Sequence, residues 1–263
     1  MVYYTSLENS ESQGSRGFES HLLRFLMRII FLNCWQAKAG KAFFDFVERE
    51  SKTTEIFCFQ EVSPENFQRI QNLLPEFGGY HACRDKPRYD GLWYGQATFV
   101  KQDVKVLCSD NITIFKKHKN KLGFMLCEKL GVDDQILWIG NIHGISKPGN
   151  KFDTKIRLKQ SQIITDFFKD KGPVIFGGDF NLLPETKSVK EFENLSYKNL
   201  IREFKIKATR NKLSWENLKK GEEKQYYADY VFTSPEVKVK SFEVPDVEIS
   251  DHLPMILDFD IQA

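Results

Sequence analysis

From Met27 onward the chain alternates short apolar runs with segments whose apolar positions recur at helical spacing, separated by brief turn signals. Residues 28–34 form a β-branched and apolar run, and 43–49 have helical spacing. A second strand is expected at 55–60. Pro64 then opens a helix to about residue 74, because proline at the first helical position gives up an N–H that has no partner there. These elements make a β-α-β-α pattern. The middle of the chain differs, with strand candidates at close spacing: 80–83, 96–100, 104–108, 111–115, 124–130 and 136–143. Strands joined only by turns must pair antiparallel, since parallel neighbours need long crossovers. Helical periodicity returns over 153–169, where Ile156, Ile163, Ile164 and Phe167 share a face, and a buried-type strand follows at 173–176. The chain finishes with strands at 226–233, 237–244 and 253–259. Mixed strands interrupted by helices at two intervals predict a four-layer α/β sandwich, two mixed β-sheets packed face to face with helices outside.

Composition narrows the class only a little. The 263 residues are 41% hydrophobic and 28% charged, with 23 Phe available for a core, as in a globular protein. One domain over 27–263 is the expectation, since β-rich architectures of this length fold as single units. The net charge of +2 excludes a globally basic protein, so any nucleic-acid contact must come from local Lys and Arg clusters. Five scattered Cys without close pairing read as reduced packing residues in a cytoplasmic protein. The run HLLRFLMRIIFL is broken by Arg24 and Arg28, which argues against both a signal peptide and a membrane span.

Residues 1–26 are polar, rich in Ser and Gly, and lack periodicity until Leu22. The string RGFESHLL is what the T-arm sequence of a transfer RNA gene gives when translated. We therefore expect Met27 to be the true start, with a disordered natural tail as the alternative; sequencing the native N-terminus separates the two.

The candidate chemistry sits at the ends of strands. GGDFN, Gly177 to Asn181, follows the apolar run PVIF, so a carboxylate and an amide stand at a sheet edge where paired glycines are expected to let a substrate approach the backbone. Asn33 follows RIIFL, Glu61 follows EIFCFQ, and His143 follows ILWIGNI. Each alone is also what a turn or a hydrogen-bonded strand end would carry. Asp229 lies in the aromatic run YADYVF, where its burial demands a partner, and a nearby His is the obvious one. Asp251 and His252 precede the last strand.

Taken in order, NCW (33–35), QE (60–61), NIHG (141–144), GGDFN (177–181), ADYVF (228–232) and SDH (250–252) resemble the motifs of the endonuclease/exonuclease/phosphatase superfamily. That group includes DNase I-like nucleases, exonuclease III-type repair enzymes, sphingomyelinases and inositol polyphosphate 5-phosphatases. The resemblance implies the DNase I-like form of the sandwich and hydrolysis of phosphate esters with Mg²⁺ or Mn²⁺, hard cations suited to oxygen ligands. It implies Glu61 as the main metal ligand, with Asp251 and Asn33 close by. Asp179 would orient or deprotonate the attacking water, and Asn181 would hold that water or a phosphate oxygen. His252, paired with Asp229, would stay cationic enough to bind the phosphate, and His143 would contact it as well. Trp35 is a departure: it stands where the repair-type nucleases carry a second metal-binding acid.

Substrate choice is expected to rest with loops. Residues 84–95 mix Arg84, Lys86 and Arg88 with Tyr89, Trp93 and Tyr94, a combination that holds phosphates and stacks bases or sugars, though a solvated loop pinned by aromatics reads the same way. KKHKNK, 116–121, reads as a hairpin tip, while 205–220, with Arg210 and Trp215, is placed to border the cleft. Arg157 and Gln160 are expected to brace the site rather than touch substrate. Three readings follow: a nuclease acting on nucleic acid; a phosphomonoesterase or phospholipase C-type enzyme acting on inositol phosphates or lipid headgroups; and a catalytically silent binding module. The first is favoured, as a monomer without a membrane span.

Overall fold

A computed structural model describes residues 26–83, 95–118, 121–132, 134–216, 218 and 223–261. Strand β1, Met27–Asn33, shows why the chain layers as it does. Ile29 and Phe31 enter one apolar cluster while Ile30 and Leu32 enter another, so both faces of the strand are covered. Strand β2, Ile56–Gln60, repeats the division: Ile56 and Cys58 face one way, Phe57 and Phe59 the other. A strand buried on both faces needs an apolar residue at every position, which is why these runs are continuous rather than alternating.

The second of those clusters is closed by α1, Lys41–Glu50, and α2, Pro64–Leu73, through Phe43, Phe46, Val47 and Ile70. Ser63 caps α2 by accepting a hydrogen bond from the Asn66 N–H at 3.1 Å, ahead of the proline predicted to open it. The remaining strands are β3 (Phe77–Ala82), β4 (Gln96–Lys101), β5 (Lys105–His118), β6 (Lys121–Val132), β7 (Gln135–His143), β8 (Val174–Asp179), β9 (Lys198–Asn199), β10 (Asp229–Thr233), β11 (Val237–Glu243) and β12 (Met255–Ile261). One sheet has the order β11-β12-β1-β2-β4-β3 and the other β5-β6-β7-β8-β10-β9. Helices α3, Lys155–Phe168, and α4, Lys187–Asn194, cover the second sheet, with Phe168 stacked on Phe176 and Phe192 edge-on to it. A short α5, Leu200–Glu203, follows β9. The four-layer sandwich is the observed architecture, and the middle strands pair antiparallel as their spacing required.

Three details differ from the expectations. The candidates at 104–108 and 111–115 are one long strand, β5, whose polar Ser109-Asp110-Asn111 stretch pairs in unbroken register with β6, the register shifts lying to either side of it. The strand expected from residue 226 begins at Asp229, so that aspartate is its first residue rather than an interior one. The paired glycines of GGDFN have a different task from the one anticipated. Both are buried, and a Cβ on Gly178, which sits at φ +127°, would meet the Ile142 carbonyl oxygen at 2.2 Å. A Cβ on Gly177 would stand 2.9 Å from the Tyr230 oxygen and 3.1 Å from the Phe31 ring. They let neighbouring strands and the opposite sheet close on β8, not substrate on the backbone.

The interface between the sheets also holds an acid. Glu128 on β6 is fully buried, and burial lifts its carboxyl to about 8 against the opposing pull of the Thr98 and Ser109 hydroxyls. One of its oxygens has no hydrogen-bond partner among the described residues. Below the unfolded-state value near 4.5 the group is neutral in both states and costs nothing. As pH rises the unfolded chain ionises first, so stability falls until the folded carboxyl also ionises near 8. Glu128→Gln keeps the shape and removes the charge; it should raise stability at pH 7 by roughly 1–3 kcal/mol and flatten the decline between pH 4.5 and 8, read from urea midpoints across that range.

Candidate active site

Register brings the site together. β1 pairs parallel with β2 and β7 with β8, so the C-terminal ends of each pair reach the same level, with Asn33 opposite Gln60 and His143 opposite Asp179. The antiparallel strand β10 begins where β8 ends, placing Asp229 opposite Asp179. His143, Asp179 and Asp229 are therefore side by side across three adjacent strands. From the other sheet, the Asn33 side-chain N–H₂ donates to Asp179 Oδ2 at 3.1 Å, and Ser250, just before Asp251, donates to the Asn33 carbonyl at 2.6 Å.

His252 is fixed from two sides. Its Nδ1 lies 2.9 Å from both Asp229 oxygens, and Asp229 in turn accepts from the Thr209 hydroxyl at 2.8 Å. Burial pulls the imidazole down, but the carboxylates of Asp229 and Asp251 outweigh it and raise the ring to about 9, so it is a cation at neutral pH. Asp179 is held below its ordinary value: burial pushes it up, and the charges of His252, His143, Lys151 and Arg210 pull it further down. Its Oδ1 accepts the Asn181 backbone N–H at 2.9 Å. Glu61 and Asn181 both adopt left-handed backbone, at φ 60° and 53°, a conformation that costs non-glycine residues energy and that persists here where polar groups are aimed into one pocket.

The spacing of the polar atoms carries the chemistry. Going round the pocket, Glu61 Oε1 is 3.9 Å from His143 Nε2, His143 Nε2 is 3.8 Å from Asp179 Oδ2, Asp179 Oδ2 is 3.8 Å from His252 Nε2, and His252 Nε2 is 3.9 Å from Asp251 Oδ1. Acids and imidazoles alternate, each pair too far apart to bond directly and close enough for one bridging oxygen to bond both. A water or a phosphoryl oxygen is the size of group that fits.

One grouping among the described residues brings candidate cation ligands close together, and the carboxylates of Glu61 and Asp251 are further candidates. Asp179, Asp229 and His252 present ligand atoms within 4.8 Å of one another, but Asp229 is taken up by His252 and Thr209, and Asp179, held by Asn33 and the Asn181 N–H, keeps an acceptor site on each oxygen for a water. Glu61 is better suited: among the described residues no group donates a hydrogen bond to its carboxylate. Asp251 gives one oxygen to Arg210 at 2.9 Å and turns the other toward the pocket. An all-oxygen set of this kind fits a hard divalent cation. Asn33, assigned to the metal from sequence, uses its side-chain oxygen to accept the Trp35 N–H at 3.0 Å and its N–H₂ to hold Asp179. In this arrangement it positions Asp179.

The sequence matches the model of the endonuclease/exonuclease/phosphatase family over residues 30–252. The chain belongs to that family. Its members are hydrolases of phosphate esters and generally use a divalent metal. No curated protein matches the sequence. Among solved structures, the endonuclease/exonuclease/phosphatase from Bacteroides vulgatus has a TM-score of 0.72 at 19% identity, covering 91% of this chain and 100% of its own. A mannosyl-6-phosphatase of Bacteroides thetaiotaomicron scores 0.70 at 16% identity over 89% of this chain and 99% of its own. The catalytic domain of human Nocturnin with bound sulfate scores 0.68 at 20% identity over 91% and 96%. These likenesses are of fold.

Of the residues expected to choose substrate, Arg84, Arg88, Trp93 and Tyr94 lie outside the described residues, as do Lys86 and Tyr89. Trp215 is half-buried, packs edge-on against Tyr226 with ring centroids 5.0 Å apart, and has the Lys224 ammonium 5.0 Å from its ring. Its neighbour Ser214 donates to the Asp251 carbonyl, which ties this wall to the site. Arg157 and Gln160 brace as expected: the guanidinium donates to the carbonyls of Phe152, Ile145 and Pro148, and Gln160 accepts the Ile145 N–H. Thr209 and Lys151 were not singled out from sequence. Thr209 precedes Arg210, which pairs with His252 in an isolated bridge, and nothing in the sequence distinguishes Lys151 from other loop lysines.

No helix among the described residues is long and apolar enough to cross a membrane. The Asp229 contact makes a direct prediction. Asp229→Asn replaces the counter-charge with a neutral amide, so the His252 ring should titrate at or below the ordinary histidine value instead of near 9, followed by NMR of the imidazole protons. A ring that still titrates near 9 would remove Asp229 as the cause.

Proposed function

We propose that this family member is a cytoplasmic phosphodiesterase acting on nucleic acid, a nuclease, with Mg²⁺ or Mn²⁺ held by Glu61 and Asp251. The observation that carries the reading is the alternating ring of acids and imidazoles around one pocket, with a cationic His252 facing the ionised Asp179 across 3.8 Å. When bound, the cation offsets charge on the phosphoryl oxygens.

The protein's own groups do the rest. Asp179, ionised and oriented by Asn33 and the Asn181 N–H, accepts a hydrogen bond from the attacking water, aims it at phosphorus, and takes its proton as the new P–O bond forms and the ester P–O bond opposite breaks, the leaving oxygen taking up a proton from solvent. Asn181, at left-handed φ, offers its amide to that water or to a phosphoryl oxygen. The His252 imidazolium donates from Nε2 to a phosphoryl oxygen while Asp229 holds Nδ1, so the donor needs no reorganisation as charge builds up. His143 donates from the opposite side.

Nucleic acid is favoured as substrate by the aromatic and basic wall of Trp215, Tyr226 and Lys224, and by the basic-aromatic composition of residues 84–95. The sulfate in the Nocturnin structure is a tetrahedral anion like the group proposed to be bound here. A phosphomonoesterase is the second reading, supported by the likeness to the mannosyl-6-phosphatase.

Assays on DNA, RNA, inositol phosphate, sugar phosphate and sphingomyelin with Mg²⁺ test both. Cleavage of DNA or RNA that weakens steeply with added salt is expected. Turnover of a small phosphate ester alone, indifferent to salt, would replace the first reading with the second. Asp179→Ala should lower turnover by at least about a hundredfold with an unchanged melting profile, since loss of a positioned base typically costs that much. Full activity in that variant would refute the role given to Asp179.

A further inference from the structure

Lys151 has an unusual position for a lysine. It lies on the loop between β7 and α3, is only 3% exposed, and adopts left-handed backbone at φ 59°. Burying an ammonium and straining its backbone are both unfavourable, so the surrounding structure must impose them. It does so with many bonds. Arg157, itself fully buried, holds the carbonyls of Ile145, Pro148 and Phe152 on either side of Lys151. The Leu183 N–H donates to the Lys151 carbonyl at 3.1 Å, and Gln225 donates to the Gly149 carbonyl at 3.1 Å.

The ammonium so placed is under-used. It has three N–H donors and, among the described residues, makes one hydrogen bond, to the Tyr227 carbonyl at 3.1 Å, two residues before Asp229. No carboxylate lies within ion-pair distance among the described residues, although Asp179, Asp229 and Asp251 all act on its charge. Arg210 acts on it too, as a like charge second only to burial in lowering the lysine to about 8. Arg210 donates from Nε to Ser214 and from one terminal nitrogen to Asp251, leaving its other terminal nitrogen without a partner among the described residues. Two cations whose charges act on one another, each with donors to spare among the described residues, are tied to the segments that carry Asp229 and Asp251. The ligand complementary to that arrangement is an anion with several acceptor oxygens.

We propose that Lys151, with Arg210 beside it, is a substrate-binding residue that grips an anionic oxygen of the phosphate being hydrolysed. The proposal rests on the reading of the chain as a phosphoesterase. Substrate binding relieves the repulsion between the two cations and completes the lysine's hydrogen bonding, which explains a buried, strained ammonium that no carboxylate neutralises by contact.

Binding of inorganic phosphate to the full chain, measured by calorimetry, tests the site without turnover. Lys151→Met removes the donors and keeps most of the stem. It should weaken phosphate binding by roughly tenfold to a hundredfold, the worth of a hydrogen bond to a charged group, and raise KM for an ester substrate. Its melting temperature should match or exceed that of the parent, because an under-paired buried charge is gone. In the unsubstituted protein the Lys151 ammonium resonance should shift on addition of phosphate, a readout independent of whether any variant folds. Undiminished phosphate affinity in Lys151→Met, or a Lys151 resonance unmoved by phosphate, overturns the proposal and leaves the residue a strut between loops. Phosphate binding through Lys151 in a protein that cleaves no ester upholds the anion site and overturns the phosphoesterase reading instead.

Discussion

The constraint on which the rest depends is a carboxylate buried between two sheets. Asp179 is 3% exposed, and a lone ionised carboxylate in such a place would take up a proton instead. It stays ionised because its neighbours are arranged to make that the better state. Asn33 and the Asn181 N–H donate to it, two imidazoles face it, and Lys151 and Arg210 lend their charge. The dependence runs back through the cluster: Asp179, Asp229 and Asp251 support the Lys151 charge, and His252 keeps its proton through Asp229 and Asp251. Removing one member changes the charge that the others feel, so the protonation states of the site are set jointly rather than residue by residue.

The sheets are shaped to allow that cluster. For the Asn33 amide of one sheet to reach Asp179 of the other, strands must approach more closely than side chains permit, and Gly177 and Gly178 supply the missing thickness. Further into the interface, Gln60 donates to the Asn141 oxygen, and the Asn141 N–H₂ donates to the Phe59 and Ala97 carbonyls, a polar tie between the sheets that pins their relative position. The acid and amide at the strand ends are aligned because the interface behind them cannot slide.

Much of this was legible in the sequence. Strands β1, β2 and β8 are buried on both faces, so their apolar runs were continuous, and their last residues stood out as polar groups ending apolar strands. The pairing of Asp229 with a histidine followed from the cost of burying an acid. Less legible was whatever depended on what a residue meets across the fold. Ser109 and Asp110 separated two strand candidates, yet an edge strand tolerates both with their side chains toward water. Helix α4 has only Val189 and Phe192 as buried apolar anchors, too brief a repeat for periodicity to declare. The two glycines carried no mark telling substrate access from sheet packing, and Lys151 carried none telling a buried cation from a solvated one.

The same contrast separates catalysis from substrate choice. Of the residues proposed to carry out hydrolysis, Glu61, His143, Asp179, Asn181 and Asp229 stand at the ends of strands or directly after them, and Asp251 and His252 shortly before β12, so the sheets fix most of them. The residues proposed to bind the substrate, Lys151, Arg210, Trp215 and Tyr226, stand on two connecting segments, 144–154 and 204–228, which touch through Gln225 and Gly149 and through Lys151 and Tyr227. Those segments also carry Thr209 and Ser214, which hold Asp229 and the Asp251 carbonyl. Substrate loops and catalytic acids are thus mechanically joined: a ligand that draws Lys151 or Arg210 inward acts on the segments that hold His252 and Asp251 in place. If Lys151 binds the phosphate as proposed, its recognition and the alignment of the groups that attack it are coupled through these contacts.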